Sequence, residues 1–216
     1  MKAVAQAVGA LSLCLSGAAV AKERDGGVYL WPGERWSEPT RSVYDGLNEF
    51  AGCIVKLDPS GVQAMLALPA YGDDYRKANS DLIEKYSDAC LNRIGMRIVL
   101  PDFRGALFEA LYERDFGRSS LKSTPVDPKS NADQLLLASC VVNATLSGSE
   151  RLIQTFHASK QQRAAFEAMG EAIKRCSEQT GKPVPSAQRL RYQITEALYQ
   201  AKATTAAATA VEAAKK

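Results

Sequence analysis

Arg104-Gly105-Ala106-Leu107-Phe108-Glu109-Ala110-Leu111-Tyr112-Glu113 and Arg191-Tyr192-Gln193-Ile194-Thr195-Glu196-Ala197-Leu198-Tyr199-Gln200 are two versions of one phrase, R-x-x-[LI]-x-E-A-L-Y-[EQ]. Apolar side chains recur at i, i+4 and i+8 in both: Phe103, Leu107 and Leu111, then Leu190, Ile194 and Leu198. That stripe is the buried face of a helix. Upstream of each phrase, in constant register, Ala51, Cys53, Val55, Ser60, Gly61, Arg76 and Ala78 match Ala138, Cys140, Val142, Ser147, Gly148, Arg163 and Ala165. A short slip then brings Cys90 opposite Cys176 and Gly95 opposite Gly181. The reading is an all-α protein made by tandem duplication of a disulfide-pinned four-helix unit, with repeats over 42–116 and 131–200.

The four helices of each repeat follow from periodicity and punctuation. The first is expected over 42–55 and 131–142. The second opens at Ser60-Gly61-Val62-Gln63 and Ser147-Gly148-Ser149-Glu150, which read as capping boxes in which Ser caps and Gln or Glu reaches back. The third is expected over 74–91 and 160–178, stopped by Gly95 and Gly181. The fourth starts near Asp102 and Ser186, both suited to an N-cap. Gly117, Pro125 and Pro128 mark a linker over 117–130. No alternating β-branched run indicates a sheet.

The ends of the chain are built differently. Lys2, an apolar run over 3–20 and the small-x-small Ala19-Val20-Ala21 describe a secretory signal peptide over 1–21. Residues 22–41 carry both tryptophans, Trp31 and Trp36, and read as an aromatic strap over the helices; the alternative is an exposed surface that anchors a partner. Residues 201–216 read as an Ala-rich flexible tail. No second hydrophobic run follows the signal, so the mature chain is expected without a membrane span, in the periplasm or secreted. Lys plus Arg number 27 against 24 Asp plus Glu, interspersed, which gives no concentrated basic face for nucleic acid.

Cys14 falls within the signal, leaving Cys53, Cys90, Cys140 and Cys176. An even number of cysteines in an exported chain points to disulfides. Three pairings are open, and the duplication selects Cys53–Cys90 and Cys140–Cys176, because a unit that folded before it was copied bridged within itself. Structural zinc favours ligands in close C-x-x-C pairs, and none occurs, so no metal or cofactor is expected.

Arg104, Arg191, Glu109 and Glu196 are the charged residues kept in both closing phrases. An Arg of this kind clamps a carboxylate or phosphate of a ligand, or forms a structural ion pair. A spacing of five does not stack Arg over Glu on one helix, so each needs a partner elsewhere. Tyr112 and Tyr199 are expected at the core edge, hydroxyl toward water. His157, the single histidine, stands where the first repeat has Ala70. A surface loop is the plainer expectation, with a general base as the alternative.

Gly52-Cys53-Ile54-Val55 with Asp58-Pro59, a helix ending in Cys90, and the run from Arg104 to Glu113 resemble a group of uncharacterised exported bacterial helical proteins with a duplicated two-cysteine repeat. The resemblance implies export and a helical build, and it transfers no catalytic residue. The expected function is that of an exported interaction module of the bacterial envelope, contacting an envelope protein or a small anionic ligand through the junction of the repeats. A structural or stress-related envelope protein without a ligand is the alternative. A hydrolase built on His157 has the least support.

Overall fold

The computed structural model describes residues 27–28, 41–70, 72–91, 98–117 and 135–213. The expected signal segment, Trp31 and Trp36, Gly95, and the linker beyond Gly117 lie outside the described residues. The described chain is all-α apart from one short pairing, in which β1 (Gly27–Val28) runs antiparallel to β2 (Ile98–Val99). The first half holds α1 (Arg41–Leu57), α2 (Pro59–Leu66), α3 (Asp73–Cys90) and α4 (Leu100–Phe116). The second holds α5 (Leu136–Ala144), α6 (Leu146–Ile153), α7 (Lys160–Ala168), α8 (Gly170–Thr180) and α9 (Ala187–Ala213).

Several helix starts differ from the sequence reading. Asp58, not Ser60, caps α2: its carboxylate accepts from the Gly61 amide at 2.8 Å, and Pro59 takes the first helical position. A β-carbon at 61 would fall 2.4 Å from Asp58 Oδ2, so Gly61 admits the cap. At α6 the flanking residue is Thr145, whose hydroxyl donates to the Val141 carbonyl and makes no cap. Asp102 sits inside the first turn of α4, where a carboxylate still favours the positive end of the dipole. Ser186 does cap α9, accepting from the Arg189 and Leu190 amides through its hydroxyl and carbonyl.

The long third helix is intact in the first half and broken in the second between Ala168 and Gly170, giving α7 and α8. Gly181 then ends α8 in the left-handed conformation, φ 64°. The last helix continues past Gln200 to Ala213, and Ala201 and Lys202 are buried, so a tail boundary at 201 comes too early.

Both expected disulfides are present. Cys53–Cys90 ties α1 to the end of α3, and Cys140–Cys176 ties α5 to α8. Each half has its own core. Phe50, Ile54, Val62, Tyr75, Phe103, Leu107 and Leu111 fill the first, with Phe50 and Phe103 stacked. Leu137, Val141, Val142, Leu152, Met169, Leu190, Ile194 and Leu198 fill the second. Fully burying one such side chain stabilises by about 1.5–3 kcal/mol.

The closing phrases, α4 and α9, pack most extensively against each other. Each sends a tyrosine across: Tyr192 of α9 buries in the first core and Tyr112 of α4 in the second. Tyr192 comes so close to α4 that only glycine fits at position 105. The two halves are interlocked by the very helices that the sequence pattern makes equivalent.

Candidate functional site

At the α4–α9 crossing the retained charges pair reciprocally. Arg104 Nη2 lies 2.6 Å from Glu196 Oε1, and Arg191 Nη2 lies 2.6 Å from Glu109 Oε1. Each guanidinium takes the carboxylate of the opposite phrase, since a spacing of five keeps the two apart on one helix. Each also caps a short helix in its own half, since Arg104 donates to the carbonyl of Leu66, the last residue of α2, and Arg191 to that of Ile153, the last of α6. The ion-pair alternative is therefore the one realised, and these guanidiniums are already committed to protein partners.

The next shell repeats the scheme with different chemistry. Tyr199 hydroxyl accepts from Gln63 Nε2 at 3.0 Å and donates to Asp115 Oδ2 at 2.8 Å. At the matching place Lys202 Nζ lies 2.7 Å from Glu150 and sits over the Tyr112 ring. The Tyr199 hydroxyl thus bonds across the junction at its exposed edge.

The halves differ at His157, and this is where a cleft opens. The expected surface loop is corrected: His157 is only 6% exposed. Its Nε2 lies 2.9 Å from Glu109 Oε2 and against the Asn48 amide, while Nδ1 lies 2.8 Å from Gln188 Nε2. The ring thus lies between the Glu109 carboxylate and the Asn48 and Gln188 side-chain amides. Tyr44 and Tyr192 flank the ring, centroids 6.0 and 5.8 Å away. Burial follows from the α6–α7 connection being drawn onto α4 by Arg191, which also holds Thr155 through its hydroxyl and carbonyl, both at 2.9 Å.

Above this cluster lies a cleft of about 810 Å³, within the size range of ligand sites. Asp45, Glu49, Gly52 and Lys56 of α1, at helical spacing, form one wall. Ala106, Ala110 and Glu113 of α4 form the second, Ile153 to Phe156 the third, and Glu109, Arg191 and His157 the floor.

Burial and neighbouring charge act differently on the two carboxylates of the closing phrases. Burial pushes the Glu109 carboxyl up, but Arg191 and His157 together outweigh it and hold it below the usual carboxylate range. Burial also pushes Glu196 up, and there Arg104 alone does not offset it, so Glu196 stays raised. The extra partner at Glu109 exists because the second half has His157 where the first has Ala70.

Among the described residues, no three His, Cys, Asp or Glu side chains are placed to hold a metal ion, and no helix is long and apolar enough to cross a membrane. Comparison with protein-family models, curated proteins and solved structures finds no match. Sequence reasoning found the four paired charges but missed Asn48, Thr155 and Gln188, which have no signature. The signal available was His157 itself, a lone histidine that breaks the duplicated pattern.

Proposed function

We propose that this chain is an exported helical binding module of the bacterial envelope and that its ligand occupies the cleft between α1, α4 and the α6–α7 connection. The observation that carries the reading is the cleft over the Glu109–Arg191–His157 floor. It opens at the junction of the two halves, beside His157, which has no counterpart in the first half. Two disulfides suit an oxidising compartment, in keeping with the signal-like first 21 residues and the resemblance to exported proteins. His157 has both ring nitrogens engaged, so it supports the floor and is poorly placed to take a proton from a substrate.

The tandem origin of the halves belongs to the same proposal. Its support is contact by contact: each Arg of the closing phrase meets the Glu of the other, and each caps the equivalent short helix. A ligand site arising at the junction of two copies needs only that one side diverge.

Gly52 provides the test. Gly52 lines the cleft and a β-carbon there meets no atom within 4 Å, so Gly52→Trp places an indole toward the cleft. Capture of a reproducible partner from envelope extract by the mature protein, lost in Gly52→Trp at unchanged helicity and Tm, supports the reading. Identical capture by both forms overturns it and leaves the ligand-free structural role.

A further inference from the structure

Two anchors hold the third wall of the cleft. Arg191 fixes the α6–α7 connection as far as Thr155, through the Ile153 and Thr155 carbonyls and the Thr155 hydroxyl. Ser159 then caps α7, its hydroxyl accepting from the Gln162 amide at 3.0 Å, and Gln162 Oε1 accepts from the Ala158 amide at 2.6 Å. Between these fixed points run Phe156, His157 and Ala158. Phe156 and Ala158 are exposed; of the three, His157 alone is buried.

Ala158 is left-handed at φ 51°, and among the described residues it is the one non-glycine with positive φ. An L residue adopts that backbone at a cost, because its Cβ crowds the following carbonyl oxygen. Such strain persists only where the surrounding contacts over-determine it. Here they pull from both sides. His157 is drawn down to Glu109, Asn48 and Gln188, and the next residue but one must already cap α7. In the first half Ala70 stands at the place of His157 and has no polar group to anchor.

We propose that residues 156–158 form a spring-loaded latch on the cleft, shut by the His157 side chain and biased toward opening by the left-handed Ala158. Closed, the latch keeps Glu109 Oε2 out of water. Open, it lets Ala158 relax and uncovers the Glu109 carboxylate at the cleft floor. A ligand that reaches this carboxylate binds the open form and shifts the population toward it. The inference rests on the cleft being the ligand site proposed above and adds how entry to it is controlled.

Carbodiimide-driven coupling of an amine to carboxyl groups of the mature protein, mapped by mass spectrometry, tests it. Glu196, the buried counterpart of Glu109 in the other closing phrase, is the internal control. His157→Ala should speed labelling of Glu109 at least ~10-fold, because the buried contacts that shut the latch are gone. Ala158→Gly should slow it about 2- to 5-fold, because glycine takes positive φ without strain. Labelling of Glu196 should stay as in the parent in both. Should His157→Ala fail to fold, Ala158→Gly carries the test. Labelling of Glu109 that ignores either folded variant, rises in Ala158→Gly, or moves in step with Glu196 overturns the proposal. The labelling needs no ligand, so partner capture indifferent to Gly52→Trp would fail the binding reading alone and leave the latch standing.

Discussion

Gly105 of α4 lies directly under Tyr192 of α9: a β-carbon at 105 would stand 2.2 Å from Tyr192 Cβ. The closest approach of the two halves therefore depends on a missing side chain, facing a tyrosine that is only 2% exposed. Gly105→Ala gains about 1 kcal/mol of helix propensity but must push the helices apart, and overpacking of this kind costs about 1–3 kcal/mol. Urea unfolding should show a net loss. The Gly105→Ala/Tyr192→Ala double variant should lose less than the two single losses added together. Simple additivity would mean that the crossing adjusts freely.

That relationship also shows where the sequence was legible. Stripes such as Phe103, Leu107 and Leu111, and the paired cysteines, report local periodicity and chain entropy. They announced helices and both disulfides correctly. Which of two adjacent polar residues caps a helix depends on a single φ/ψ choice, and Asp58 with Pro59 won over Ser60. The break before Gly170 had a visible cue, since glycine weakens a helix interior, but periodicity continued across it. His157 was the largest miss. Its burial is set by Glu109 and Gln188, far away in sequence, and only the assembled fold brings them together.

The reciprocal ion pairs should respond unequally to removal of one partner. Arg191→Met leaves the buried Glu109, held low in pKa, with His157 alone beside it, and also frees the Thr155 and Ile153 carbonyls. Arg104→Met strands Glu196, whose carboxyl burial already pushes up, so it can neutralise by taking a proton. Breaking a buried pair from one side costs about 3–5 kcal/mol. Denaturant unfolding at neutral pH should place Arg191→Met toward the top of that range and Arg104→Met toward the bottom. Arg104→Met combined with Glu196→Leu should cost less than Arg104→Met alone, because no charge is left without its partner.

Each disulfide closes a loop of similar length, with sequence separations of 37 and 36. The chain-entropy account then gives about 4 kcal/mol for each. Cys53→Ser/Cys90→Ser and Cys140→Ser/Cys176→Ser should therefore lower stability by comparable amounts, read as shifts in urea midpoint at unchanged m. Because α4 and α9 interlock the halves, both variants should still unfold in one transition. Two separated transitions would show that the halves fold as independent units.

Acid should destabilise the protein through identifiable groups. The Gly61 amide, the Tyr86 hydroxyl and Lys85, in that order, hold the Asp58 carboxyl below its ordinary value. At Glu109, burial works the other way but is outweighed by Arg191 and His157. A depressed folded pKa means that the unfolded chain takes up protons first on acidification. The contribution of both groups is then complete above the ordinary carboxyl range, near pH ~4, and is lost as pH falls through the lower folded values. Glu196, raised by burial, has the opposite sign: its ionised form is disfavoured in the folded state, so its contribution declines as pH rises through the folded value. Thermal melts across the acid range should accordingly show a shallower loss of Tm for Asp58→Asn and a steeper one for Glu196→Gln than for the parent protein. Parallel curves for all three would show that neither carboxyl titrates differently in the folded and unfolded chains.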